Sequence, residues 1–459
     1  MHQLLQSPRL RRRLLLGVLL LPCACGLFAL GWALLGVPSG GAVRFTRGAL
    51  LWLSLALLLL TALAAWAGWQ LGRQRRASRM QISVAAAGLE PDDYPLMESL
   101  FPQSQEVRLT PLPGGYSGAA VFQAQSWSVE AALQRASIVK VGSPAKLQPE
   151  VDNYERYVRE YVGNTALLLG TAQRGNRMAL RWAYAAYSGE RVQTLADYAA
   201  SGAALAPIMR QLFAPGGTLG LLLGTPRRDP QRALYQEYSW SPRDWERIVQ
   251  ATAGLLEGGP LCPHLPQVDE TGTALPNPLY MVQRWFNPEG GSGERTTLGF
   301  DVPVATTHGD LNSRNILLDE RGTLFVIDFA HTGPGHLLRD FARLESELTL
   351  VVNQPTDAAA MQQRVQQAAL LLRNWQNQPC ITLRELLQPR PSRSPWDEGI
   401  IALRSAAHDL AGPTLNGPAT PYVLALLHTT LDTLRYSQCN EYSRRAALLI
   451  AARLCQQLV

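Results

Sequence analysis

Two long runs of uncharged, mostly apolar residues open the chain, and shorter strand-like and helix-like patterns fill the rest. The first run covers residues 14–37 and the second 48–72, 24 and 25 residues without a charge. A helix rises about 1.5 Å per residue, so roughly 20 apolar residues cross a hydrocarbon core about 30 Å thick. The pattern therefore predicts a membrane anchor over 1–80, a two-helix transmembrane hairpin turned at PSGGAVRFTR (38–47). Arg9, Arg11, Arg12 and Arg13 precede the first run, and Arg73, Arg75, Arg76 and Arg79 follow the second. Only Arg44 and Arg47 lie between. The positive-inside rule then makes this a multi-pass protein of the cell (inner or plasma) membrane, with both termini cytoplasmic. Reading the first run as a cleaved signal leaves the second unexplained, and no small-residue run precedes Cys23 or Cys25.

After the runs, residues 81–104 read as a Pro-punctuated juxtamembrane connector. The segments EVRLTPLPGGYSGAAVFQAQ, ASIVKVG and LLLGTAQRGNRMALRWAYAA alternate apolar and polar residues between Gly, Asn and Pro, which signals strands and hairpins. Between the last two, Val151, Tyr154, Val158 and Tyr161 recur at helical spacing. Residues 105–190 thus form a small lobe with a five-stranded antiparallel sheet. From Thr194 the pattern turns helical, and TLADYAAS and SPRDWERIVQATAGLL each open on a capping residue. Two short strands, NILL and TLFVIDF, meet at the turn DERG, and helical patterns run from RDFARLESELTLVV to the C-terminus. The fold class is α+β: a sheet-based lobe, a helical lobe over 191–459, and a cleft between them. No internal repeat is present.

Charge divides along the same lines. Residues 1–80 hold ten arginines and no acid, and the remainder holds 32 basic and 36 acidic residues. The folded part is mildly acidic and lacks the basic stripe of a nucleic-acid binder, so no nucleic-acid partner is expected. The flanking arginines suit topology and anionic headgroups, which makes membrane lipids the expected partner of the anchor. Six cysteines lie scattered without CxxC spacing, so neither a disulfide framework nor a zinc site is implied. Two uncharged helices with no intramembrane ionisable residue argue against a channel or transporter.

Chemistry concentrates in HGDLNSRNILLDERGTLFVIDF, His308 to Phe329. Asp310 sits on a turn, where a carboxylate can accept or orient the proton of an attacking hydroxyl. Asn315 offers an amide oxygen five residues on, and Asp328 ends a hydrophobic strand; both suit Mg²⁺, a hard cation that prefers oxygen. Phosphoryl transfer asks a protein mainly for such positioning and charge neutralisation. Upstream, PGGYSGA (113–119) lies between two strand-like runs, and Gly114, Gly115, Ser117 and Gly118 could bring backbone N–H groups close to phosphates. Glycine-rich hairpins are also common as plain turns. Lys140, in SIVKV, is one of only two lysines against 40 arginines. A lysine kept in that background suits a compact charge on nucleotide phosphates; the other, Lys146, reads as a solvated loop residue.

HGDLNSRNILLD followed by VIDF resembles the signature of the aminoglycoside phosphotransferase and choline kinase group, distant relatives of protein kinases. Continuing into AHTGPGHLLRDFARLE, it also resembles bacterial kinase-like domains of the "ternary complex associated" type. The resemblance spans roughly 105–350 and is dense over 305–345, the catalytic-loop region. It implies a two-lobed protein kinase-like fold, ATP with Mg²⁺, Asp310 as catalytic base, and Asn315 and Asp328 as metal ligands. It also implies that His308 supports the catalytic loop, that Asp340 braces it from the next helix, and that Lys140 pairs with Glu150. Glu155, close by in the sequence, is the alternative partner. His331 and His336 read as plain loop histidines.

Two departures narrow the expectation. Ala330 stands where the third residue of a DFG triplet would be glycine, and only eleven residues separate Asp328 from Asp340. That interval holds no long activation segment, and HGD lacks an arginine to meet a phosphorylated loop. The expected activity is phosphate transfer to a hydroxyl of a small or lipid-proximal substrate. A membrane-tethered protein kinase and a catalytically silent nucleotide-binding scaffold are the alternatives.

Overall fold

The computed structural model describes residues 81–459 apart from 85–88, 113–117, 129, 186–191, 225, 257–258, 261, 269–271, 288–292, 295–301, 373–381, 388–394, 413–415, 417–418 and 459. The chain divides into two units, 1–81 and 82–459, and apart from Gln81 the second carries every element below.

Among the described residues the small lobe is built on a six-stranded sheet. Its strands are β1 (Gln81–Val84), β2 (Ser104–Pro111), β3 (Ala120–Ser128), β4 (Ser137–Gly142), β5 (Leu168–Arg174) and β6 (Arg177–Ala183), in spatial order 1-2-3-4-6-5. The pairings of β2 through β6 are antiparallel. The expected five-stranded sheet is corrected to six because four residues, QISV, add an edge strand too short to announce itself. Residues read as a connector also supply helix α1 (Tyr94–Leu100), which buries Leu96, Met97 and Leu100. Just before it, the fully buried Asp93 accepts from Arg177 Nε and Nη2 at 2.8 and 2.7 Å. On the other side of β4 lies α2 (Pro144–Asn153), continued by a π-helical turn over Tyr154–Val158.

The runs at 14–37 and 48–72 lie outside the described residues. Among the described residues no helix is long and apolar enough to cross a membrane. The expected transmembrane hairpin is corrected to no more than that finding: neither it nor the multi-pass placement, the cytoplasmic orientation and the membrane-lipid partner built on it has support among the described residues. Of the described helices, the 18-residue Glu441–Leu458 is long enough but carries Glu441, Arg444, Arg445 and Arg453.

The helical lobe begins with a short strand, β7 (Val192–Thr194), and helix α3 (Leu195–Ala200), which Thr194 caps by accepting from the Asp197 amide. Helices α4 (Leu205–Phe213), α5 (Pro242–Thr252) and α6 (Pro278–Phe286) follow, with strand β8 (Arg227–Asp229) between the first two. Next come strands β9 (Val302–Thr307), β10 (Ile316–Asp319), β11 (Leu324–Val326) and β12 (Gly333–His336). They form two three-stranded antiparallel sheets, ordered 12-9-8 and 11-10-7. The chain ends in α7 (Arg339–Glu347), α8 (Ala358–Leu372), α9 (Pro395–Ala411), α10 (Thr420–Asp432) and α11 (Glu441–Leu458).

Helix α7 is the axis of this lobe. Five of the nine residues of RDFARLESE are charged, yet Phe341, Ala342 and Leu344 are fully buried and Phe341 stacks on Phe213 at 4.3 Å. Most of its polar residues are buried too, and buried polar groups persist only where partners meet them. Glu345 meets Arg404 of α9 and Tyr422 of α10, and Ser346 meets Thr429. Those pairings lock α7 against its neighbours.

Nearby, Tyr238 OH lies 2.6 Å from His336 Nδ1, and His428 stacks on Trp240 at 4.0 Å. Burial pushes each imidazole down to about 3, with Arg339 acting in the same direction on both. Both are neutral in the native state, whereas the unfolded chain takes up protons below pH 6.5. Stability is therefore expected to fall between pH 6.5 and 3, by about 1.4 kcal/mol per pH unit and histidine. Urea midpoints at pH 7 and pH 5 check this; equal midpoints would remove the assignment.

Candidate active site

Strand β9 (VPVATT) is almost wholly buried and delivers the chain to His308. The backbone turns at Gly309, whose φ is +85°; a Cβ at this position would lie 2.1 Å from the His331 carbonyl oxygen. Only glycine fits there. Asp340 of α7 takes both amides of the turn: His308 N–H at 2.7 Å and Gly309 N–H at 3.0 Å. Burial raises this carboxyl, opposed by His308, Arg339 and the two amide donors. The His308 ring bridges to the second strand pair, with Nε2 3.0 Å from the Ile327 carbonyl, and the Asp310 N–H donates to Nδ1 at 3.4 Å. Both contacts hold together in the tautomer protonated on Nε2.

Asp310 follows with its side chain 35% exposed. Asn312 Nδ2 donates to Oδ2 at 3.2 Å, and Arg343 Nη2 donates to Oδ1 at 3.3 Å. Asn315 Nδ2 donates to the Asp310 carbonyl at 2.9 Å, which leaves the amide oxygen as the end open to a cation. Ser313, between them, is held by Glu347 through its N–H (3.1 Å) and Oγ (2.9 Å). Strands β10 and β11 then form a hairpin whose turn is closed by Asp319 Oδ1, accepting from the Arg321 and Thr323 amides. The hairpin ends at Asp328.

Asp328 has φ +69°, a left-handed conformation uncommon for a non-glycine residue. Its carboxylate, 35% exposed, points at Lys140 Nζ 3.2 Å away. Behind it, Phe329 is buried near His308 and Tyr154, and Asn153 of α2 donates to the Ala330 carbonyl at 2.9 Å. Held residues on both sides fix the backbone that carries this strain.

Lys140 lies mid-way along β4, opposite Val121 on one side and Leu180 on the other. Its ammonium is 2.7 Å from Glu150 Oε1, so it joins the small lobe to Asp328 of the large one. Burial works against the ammonium, but Glu150 and Asp328 outweigh it and keep its pKa above the usual lysine value. Glu150 is buried in α2, whereas Glu155 is exposed and pairs with Arg159 at 2.8 Å. Five residues turn a helix by roughly 140° beyond a full circle, so the two glutamates cannot share a face. Gly114, Gly115 and Ser117 lie outside the described residues. Gly118 has φ +67°, and a side chain there would meet Lys146 Nζ at 2.8 Å, so Lys146 stands over the end of the glycine loop. Among the described residues, no group of three or more His, Cys, Asp or Glu forms a metal cluster.

The structure thus brings Lys140, Glu150 and Asp328 together, and separately His308, Asp310, Asn315 and Asp340. Sequence patterns missed Asn153, Lys146, Arg343 and Glu347. Arg343 and Glu347 follow Asp340 at helical spacing, which is a usable signal once Asp340 is placed. Asn153 carries none.

Residues 267–435, little more than a third of the chain, match the family model described as ternary complex associated domain 9. The match bears out the resemblance to that type of kinase-like domain; it includes His308, Asp310, Asn315, Asp328 and Asp340 but stops short of Lys140 and Glu150. Among curated proteins, none matches the sequence. Among solved structures, a thermostable mutant of an aminoglycoside phosphotransferase in complex with ADP and hygromycin B shows 14% identity and a TM-score of 0.39, covering 77% of this chain and 97% of its own. A Plasmodium vivax ethanolamine kinase shows 8% identity and a TM-score of 0.33, with coverage of 80% and 83%. A choline kinase from Streptococcus pneumoniae shows 14% and 0.31, with coverage of 74% and 96%. Scores this low establish no shared substrate.

Proposed function

We propose that this chain is an ATP- and Mg²⁺-dependent phosphotransferase that moves the γ-phosphate to a hydroxyl of a small molecule. The observation that carries the proposal is the bridge from Lys140 to both Glu150 and Asp328, which places a fixed cation beside a carboxylate from the opposite lobe. In this reading Glu150 orients Lys140, and Lys140 neutralises nucleotide phosphates. Gly118 belongs to the loop over those phosphates, together with Gly114, Gly115 and Ser117. Asp310 accepts the proton of the acceptor hydroxyl as its oxygen bonds to the γ-phosphorus and the bond to the ADP oxygen breaks. His308 and Asp340 hold the loop that carries Asp310.

The donor set suits magnesium. Asp328 and Asn315 present two oxygen donors, and this ion is commonly held by one or two protein groups plus substrate phosphates and water. When bound, it would neutralise charge on the phosphate oxygens.

A small acceptor is favoured by the interval between Asp328 and Asp340. Its residues 333–336 form β12, paired with β9 from Thr307 opposite Gly333 to Val304 opposite His336, so it has no slack for a peptide-binding segment. Incubating the full chain with γ-labelled ATP and separate pools of amino alcohols, aminoglycosides, other hydroxylated metabolites and proteins tests this. Label is expected in a small-molecule pool. Label in proteins alone would make it a protein kinase, and ATP binding without transfer to any pool would make it a scaffold.

A further inference from the structure

We propose that Arg343 is a positioning residue for phosphate transfer: clamped on Asp432, it fixes the Asp310 carboxylate in the orientation that meets the acceptor hydroxyl. The inference deepens the phosphotransferase reading and rests on it.

Arg343 lies on α7 one turn beyond Asp340. Its Nη1 donates to Asp432 Oδ2 at 2.7 Å and its Nη2 to Asp310 Oδ1 at 3.3 Å, while the guanidinium lies 5.4 Å from the centre of the Tyr436 ring. Asp432 ends α10 and is itself tied down. Arg435 donates to it through Nε at 2.6 Å and Nη2 at 3.1 Å, and Tyr436 OH donates at 2.8 Å. Burial opposes charge on Asp432, but Arg343 and Arg435 outweigh it and hold the carboxyl well below the usual range. The anchor is therefore ionised and saturated with donors, so the guanidinium it holds cannot follow Asp310 if that side chain swings. A guanidinium also keeps its charge at any working pH.

Among the described residues, the Asp310 side chain has one further hydrogen bond, from Asn312 at 3.2 Å. Arg343 on Oδ1 and Asn312 on Oδ2 fix the carboxylate plane from its two ends. The side chain stays 35% exposed, which leaves lone pairs open to a substrate. The rest of α7 shows the same design. Asp340, Arg343 and Glu347 stand three and four residues apart, on one stripe of the helix. They grip, in order, the amides of His308 and Gly309, the carboxylate of Asp310, and Ser313. Arg343 is the member of that stripe that touches the reacting group itself. Through it, a residue of the C-terminal helices sets the geometry of a loop more than a hundred residues earlier. Positioning of this kind matters because misplacement by about 1 Å can cost on the order of 100-fold in rate.

ATP hydrolysis by the full chain, with water as acceptor, gives one test. Arg343→Met is expected to lower kcat about 100-fold with KM for ATP unchanged. Arg343→Lys should recover part of the loss, because it restores the charge beside Asp432 but not the planar fork that bridges two carboxylates, and Asp432→Asn should lower kcat in the same direction. An Arg343→Met variant with kcat intact, or one that raises KM instead, would overturn the role. A wild-type chain that binds Mg-ATP yet turns none over would remove the transfer reading and the role together. A double-mutant cycle of Arg343→Met and Asp310→Ala, which removes the whole carboxylate, on urea unfolding gives an activity-independent test. The expected non-additivity is about two- to tenfold in the unfolding constant. Strict additivity would deny the contact even if transfer is established.

Discussion

Replacing Asp310 with Asn is expected to cut phosphate release from ATP about 10²- to 10⁴-fold, the usual contribution of a positioned general base. Asparagine keeps the shape of the side chain and can still meet Arg343 or Asn312, but it cannot take up a proton. The surrounding loop does not depend on the carboxylate for its fold. His308 and Gly309 hang on Asp340, Ser313 hangs on Glu347, and Asn315 contacts the Asp310 carbonyl rather than its side chain. Nucleotide binding should therefore survive in Asp310→Asn, since Lys140, Glu150 and Asp328 are untouched. Steady-state hydrolysis beside a nucleotide titration separates the two effects. A variant that retains turnover would take Asp310 out of the base role.

The second large effect is on stability. Arg404 and Glu345 are almost completely buried and joined by two hydrogen bonds, 2.9 and 2.6 Å, and Tyr422 OH donates to the same carboxylate at 2.5 Å. Removing one member of such a pair leaves the other charge uncompensated and costs about 3–5 kcal/mol. Against a total of about 5–15 kcal/mol, Arg404→Met is expected to remove a large fraction of the folding free energy. The companion change Glu345→Gln in the Arg404→Met background should return part of that loss, because it removes the stranded charge. Urea unfolding of the wild type and the two variants measures it. A loss under about 1 kcal/mol for Arg404→Met would mean that solvent reaches the pair.

Much of the site was legible because its residues are close in sequence or chemically conspicuous. His308, Asp310, Asn315 and Asp328 stand within 21 residues on a turn and a hairpin, so spacing alone groups them. Lys140 stood out as a lysine in a chain built with arginine, and the pattern SIVKV placed it on a strand. The choice of Glu150 over Glu155 was open in the sequence and is made by helix geometry. What stayed hidden depends on distant partners. Arg343 needs Asp432, 89 residues away, and Asn153 reaches a carbonyl 177 residues later, and no local pattern records either. The packing of helix α7 was hidden for a related reason. Charges at helical spacing suggest a wet face, yet Asp340, Glu345 and Glu347 are buried against partners from elsewhere in the chain. Strand β1 and helix α1 were hidden in a stretch whose Pro and mixed polarity read as a connector.

The most direct test of the nucleotide site is the melting temperature of the full chain with and without millimolar Mg-ATP, for the wild type and Lys140→Met. Binding to the folded state alone stabilises by about 2.7 kcal/mol when ligand exceeds its dissociation constant a hundredfold. A rise in melting temperature that is lost in Lys140→Met is the predicted result. An unchanged melting temperature for the wild type would contradict both nucleotide binding and the phosphotransfer built on it.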